Sequence, residues 1–215
     1  MTSRVPSQCA DRLAILMAGA QVIMVIRNQL DAVESFYLNH GAYLKNVPYS
    51  YWRRYVSVNY WLSYCYEFMN YSPLDSYFYM RIISLYADRF GRNNTRVLMF
   101  EDLINKPDVF LGHWSKLLGV PLEQVRILVT GRRERARVTQ RQHLYHKLKG
   151  CFMSGRKGND APSGLLGHIL AGGPPAHDQL SPEWRERLRQ TYAKDNAELA
   201  AAYQLPLKEY GYPMP

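Results

Sequence analysis

Residues Val22–Ile26 read VIMVI, five consecutive apolar residues with β-branching at every position except Met24. A run of that length fits a strand covered by helices on both faces, because a strand with one wet face would alternate apolar and polar residues. RVLMF (Arg96–Phe100) repeats the pattern and ends in Glu101 and Asp102. Helical periodicity lies between and around the two runs. Strands and helices in that alternation predict an α/β fold with a parallel sheet. No linker separates the segments, so residues 1–215 are expected to form a single domain.

The helices are marked by their ends. Residues 9–18 (CADRLAILMA) carry apolar residues at helical spacing and stop at Gly19. Asn28 and Asp31 are placed to cap a helix running through Ser35 and Tyr37. Residues 43–72 are rich in tyrosine, are punctuated by Pro48 and Pro73, and read as irregular. From Asp75 to Phe90 a helix is expected with Phe78, Ile82, Leu85 and Phe90 on one side and Gly91 closing it. Pro107 suits the first turn of a helix ending at Gly119. Ser181 is expected to cap a helix with Pro182 in its first turn, running to about Tyr203, with the tail LKEYGYPMP packing back.

Composition narrows the chemistry. Lys and Arg number 27 against 18 acids, a net charge of +9, which attracts polyanions, anionic lipid surfaces or a highly charged small ligand. Eight of these cations fall between Arg126 and Lys149, with Glu134 as the lone acid. Tyr145 is the only aromatic there and no RNA-binding signature is present, so nucleic acid is not the expected partner. Cys9, Cys65 and Cys151 form no CxxC pair and no metal-type cluster, so no metal and no disulfide framework are expected. No apolar run reaches the length of a membrane span, and the first residues lack the apolar core of a signal peptide.

The most informative segment is VIMVIRNQLDAVESFY. In open α/β sheets ligands bind outside the carboxyl ends of strands, and Arg27 stands at such an end with Ser35 in the following helix. A guanidinium, a hydroxyl and helix N-terminal amides make a phosphate site. The competing reading is an Arg that pairs with a neighbouring loop. Glu101 and Asp102 read either as functional acids or as a pair that caps a loop.

The segment resembles the 3′-phosphate-binding strand and helix of sulfotransferases that use 3′-phosphoadenosine 5′-phosphosulfate. That family shows an apolar strand, Arg, Asn or Asp, usually Pro, then Ser eight residues after the Arg. Arg27 and Ser35 have that spacing, and Gln29 stands where Pro is usual. YFYMRIISLYADRFGRNNTRVLMFEDLINKPDVFLGHWSKLLGV and RLRQTYAKDNAELAAAYQLPLKEYGYP are similar to later family segments in the same order. CFMSGRKGNDAP is similar to the basic loop that closes over the nucleotide, which would make Arg156, Lys157 and Gly158 cofactor-binding residues beside Arg27 and Ser35. The Tyr-rich stretch 43–79 corresponds to the region that shapes the acceptor pocket, with a carbohydrate or a small molecule as acceptor.

The resemblance implies a P-loop-NTPase-like parallel sheet flanked by helices, incomplete at the N-terminus. No GxxxxGK[ST] pattern occurs, and Gly19 is the only glycine in the first 40 residues. The turn that grips the 5′-phosphosulfate in the family, and its catalytic base, would therefore precede Met1. A catalytic residue is not assigned. The implied activity is sulfonate transfer from the nucleotide co-substrate to an acceptor hydroxyl or amine. The alternative is a degenerate module that binds nucleotide or polyanion without turnover. Cytoplasm and Golgi lumen both stay open as locations.

Overall fold

The computed structural model describes residues 4–40, 55–129, 138–152, 164–177 and 180–215. Among them the elements run α1 (Arg4–Leu16), β1 (Val22–Ile26), α2 (Gln29–Asn39), α3 (Val58–Glu67), α4 (Tyr79–Phe90), β2 (Thr95–Met99), α5 (Phe100–Asn105), α6 (Pro107–Leu118), α7 (Leu122–Val129), α8 (Gln140–Phe152), α9 (Leu165–Ala171) and α10 (Pro182–Tyr203). The two strands pair in parallel, from Val22 opposite Thr95 to Ile26 opposite Met99. Parallel pairing needs a long crossover, and α2, α3 and α4 lie between the strands in sequence. The class is α/β.

Two compact units are present. The first comprises Met1–Gln29, Met69–Glu134 and Leu188–Pro215; the second comprises Leu30–Phe68 and Arg135–Arg187. In the first unit the sheet residues divide by alternation. Ile26 and Met99 join Ile83, Leu199, Leu207 and Tyr212 in one buried cluster, with Met24 and Val97 at its margin. Leu98 joins Phe110, Leu111 and Val125 in a second, with Ile23 at its margin. This is the period of two that a strand imposes on its side chains. Burial of β1 is less complete than its sequence predicts, since Val25 is 47% exposed. The second cluster is centred on Leu98 of β2, and its β1 margin is Ile23, not Val25.

Other boundaries moved for identifiable reasons. β2 ends at Met99, one residue before the expected limit, because Phe100 opens α5 with Glu101 and Asp102 in its first turn, where the helix dipole favours acids. Helix α4 begins at Tyr79, after a short 3₁₀ turn at Pro73–Tyr77 that Ser72 caps by accepting from Leu74 N (3.2 Å). Its buried residues are Ile83 and Phe90, so the core-facing side is turned one position from the expected Ile82. Asp31 lies in the first turn of α2 as expected, whereas the Asn28 Nδ2 donates to the Tyr210 carbonyl (3.1 Å). Helix α1 stops three residues before Gly19, and its apolar end, Ile15 and Leu16, faces solvent. Helices α6 and α10 match their predicted limits, with Gly119 in the left-handed conformation (φ 65°) after α6.

The second unit overturns the expectation of an irregular stretch between 43 and 72. Residues 58–67 form α3, capped by Ser57, whose hydroxyl accepts from Tyr60 N (3.4 Å). Its buried residues Val58, Trp61, Leu62 and Cys65 are spaced i, i+3, i+4, i+7, a helical stripe that the neighbouring tyrosines obscure. Tyr37 is fully buried and donates to the Val56 carbonyl (2.6 Å), while Phe36 stacks on Trp61 with ring centres 6.1 Å apart.

Candidate functional site

The carboxyl end of β1 is braced by several elements of the first unit. Tyr79 of α4 donates its hydroxyl to the Arg27 carbonyl (2.7 Å). The next amide, Asn28 N, donates to Glu101 Oε1 (2.8 Å), and Tyr212 donates to the other oxygen of that carboxylate (2.8 Å). Asp102 accepts from the Tyr210 hydroxyl (2.5 Å). Gln29 is fully buried, where its amide and that of Asn196 donate to each other (2.6 and 3.1 Å), and Asn196 also donates to the Pro213 carbonyl (2.9 Å). Three consecutive residues, 27–29, are thus each fixed by partners from α4, α5, α10 or the segment after it. An interior position for these polar groups requires such partners.

The tyrosines in this bracing are reliable donors. Burial pushes the Tyr79 hydroxyl far above the ordinary phenol range, against the opposing effect of the Arg27 amide, which donates to that oxygen (3.4 Å). Tyr212 is raised further, first by burial and then by the charge of Glu101 and the bond to it. Desolvation disfavours phenolate, so both hydroxyls keep their protons. Glu101 and Asp102 thus act as acceptors that anchor the Asn28 amide and the Tyr212 and Tyr210 hydroxyls.

The side chain of Arg27 stands apart from this network. Its guanidinium carbon lies over the ring of Phe100, 5.1 Å from the centroid, and the residue is half-buried. Among the described residues the guanidinium has no hydrogen-bond or ion-pair partner, so the loop-pairing alternative finds no support there. An Arg with open donors at the carboxyl end of a parallel strand can take a phosphate or sulfate in bidentate fashion.

Ser35 lies in α2, half-buried, within the second unit. Its carbonyl accepts from Asn39 Nδ2 (2.7 Å), and its hydroxyl has no partner among the described residues. Arg156, Lys157 and Gly158 lie outside the described residues, as does much of the Tyr-rich stretch. The sequence did not single out Phe100, Tyr79 or Tyr212. A signal for Phe100 existed in its place between an apolar strand and two acids, but nothing local tied it to Arg27.

No family model matches this chain, and no curated protein matches it. Among solved structures, the crystal structure of a sulfotransferase from Alicyclobacillus acidocaldarius is similar, with a TM-score of 0.57 and 18% identity. The match covers 95% of this chain and 62% of that one, so the chain spans less than two thirds of the length of its structural relative. The fold is that of a sulfotransferase, an α/β arrangement with a parallel sheet and flanking helices.

Proposed function

We propose that this chain supplies the 3′-phosphate half of a site for 3′-phosphoadenosine 5′-phosphosulfate, as part of a sulfotransferase. The observation that carries the reading is the Arg27 guanidinium, half-buried at the carboxyl end of β1 and without an ion-pair partner among the described residues. Those open N–H donors suit a dianionic phosphate, which accepts several charge-assisted hydrogen bonds at once. Ser35, Arg156, Lys157 and Gly158 are the further nucleotide ligands that the resemblance implies. The nucleotide would bring the sulfonate, and the reaction class is in-line transfer to an acceptor hydroxyl or amine, an acceptor carbohydrate being one class. These residues would bind and orient the 3′-phosphate end and perform no bond-making themselves. No metal enters the proposal.

The test compares 3′-phosphoadenosine 5′-phosphate with 5′-AMP by calorimetry. Each charge-assisted hydrogen bond to the additional phosphate is expected to contribute about 1.5–3 kcal/mol, so the bisphosphate should bind at least about tenfold more tightly. Equal affinities would end this assignment.

A further inference from the structure

An arginine near carboxylates is normally neutralised by one of them. In the first unit Arg81 pairs with Asp75 (2.6 Å), Arg89 with Asp11 (2.5 Å), and Arg126 with both Asp108 (2.8 Å) and Glu123 (2.9 Å). Arg27 does not pair, although its guanidinium lies over Phe100 and Glu101 and Asp102 are the next two residues. Both acids are engaged elsewhere. Glu101 holds the Asn28 amide with one oxygen and the Tyr212 hydroxyl with the other, and Asp102 holds Tyr210.

We propose that Phe100 is the positioning residue for Arg27, its ring holding the guanidinium in place while the tyrosine-bound acids of α5 leave that cation uncommitted. This inference rests on the nucleotide reading above. The physics favours a ring over a carboxylate for the task. A ring face attracts a cation through its quadrupole and consumes no N–H donor. A carboxylate would occupy two donors in a bidentate pair and cancel the charge that a phosphate needs. The Phe100 ring thus fixes the side chain without spending its capacity to bind an anion. Tyr212 guards the arrangement, since its hydroxyl feels the charges of both Glu101 and Arg27 and keeps the Glu101 oxygen bonded to itself.

Wild-type protein and the variants Phe100→Leu, Phe100→Met and Phe100→Tyr are titrated calorimetrically with 3′-phosphoadenosine 5′-phosphate and with 5′-AMP. Phe100 is half-buried, and Met preserves apolar volume without a ring, so Met carries the test should Leu fail to fold. Loss of the ring is expected to lower the preference for the bisphosphate about three- to tenfold, with 5′-AMP affinity unchanged. Phe100→Tyr, which restores the ring face, is expected to restore the wild-type preference. A general loosening of the fold would weaken both nucleotides together, and that result overturns the positioning role. So does an unchanged preference in the ringless variants, or a failure of Tyr to rescue. In each of those cases wild-type discrimination survives and the nucleotide reading with it. Equal affinities in the wild type would overturn the nucleotide reading itself, and this inference falls with it.

Discussion

Two amides, Gln29 and Asn196, meet in a fully buried reciprocal pair, 2.6 and 3.1 Å long. A proline at position 29, usual in the family that this segment resembles, could not make that pair. The departure is therefore coupled to a polar partner on α10. Gln29→Pro should destabilise the protein by about 1–3 kcal/mol, the penalty for leaving a buried amide short of partners, and denaturant unfolding would register it. If the loss is negligible, another group satisfies Asn196. Arg27→Lys tests the neighbouring position. It keeps the charge but loses the planar fork, so the bisphosphate should bind at least about tenfold more weakly while the melting temperature barely moves. Unfolding of the variant with unchanged binding per folded molecule would mark Arg27 as structural. At this scale the sequence exposed Arg27, because a charged residue directly after an apolar strand is visible in a short window. It hid the acids' role, because Glu101 is bound by Tyr212, 111 residues away.

Helix α4 shows what a capping residue from elsewhere in the chain can do. Its own N-cap position is Phe78, which has no side-chain acceptor to offer. Asp195 of α10 takes over, accepting from Met80 N (2.9 Å) and Arg81 N (3.3 Å) in the first turn. Asp195→Ala should destabilise by about 0.5–2 kcal/mol, as lost caps do; an unchanged unfolding midpoint would show that water serves those amides equally well. Burial, the largest influence, raises the Asp195 carboxyl above its ordinary value, against the two backbone donors and Arg81. A raised folded value means that the native state holds this proton more tightly than the unfolded chain does. Its contribution to stability is complete below the unfolded value of about 3.9 and is lost as pH rises through the folded value. Asp195→Asn never ionises, so its stability relative to wild type should increase from about pH 4 toward neutrality. Unfolding curves at both ends of that range measure it, and the opposite slope would mean that the backbone donors outweigh desolvation. Elements with punctuation at both ends, such as α6 between Pro107 and Gly119, were legible. The start of α4 was not, since its cap comes from 115 residues downstream, and the apolar stripe of α3 was obscured by the tyrosines around it.

Across the whole molecule the net charge of +9 sets a background field that salt will screen. Affinity for 3′-phosphoadenosine 5′-phosphate should fall as ionic strength rises, and more steeply than affinity for 5′-AMP, because the former carries an additional phosphate. Parallel salt dependences in calorimetry would argue against a cation at the 3′ position. The α/β class was readable from two apolar strands, since each of them constrains which layers can surround it. Two of the four borders between the units, Gln29–Leu30 and Arg187–Leu188, fall inside continuous helices, where a sequence carries no linker signal. The bracing of residues 27–29 carries a consequence for biosynthesis. Asn28 bonds to Tyr210 across 182 residues, and Gln29 to Asn196 across 167. At translation speeds of roughly 5–20 residues per second, the later partner leaves the ribosome roughly ten to forty seconds after the earlier one. Through that interval β1 has emerged while its buried polar groups still bond to water or to chaperones. The strand end that carries Arg27 is thus among the last places in the first unit to become rigid, and its assembly follows translation of α10 and Tyr212.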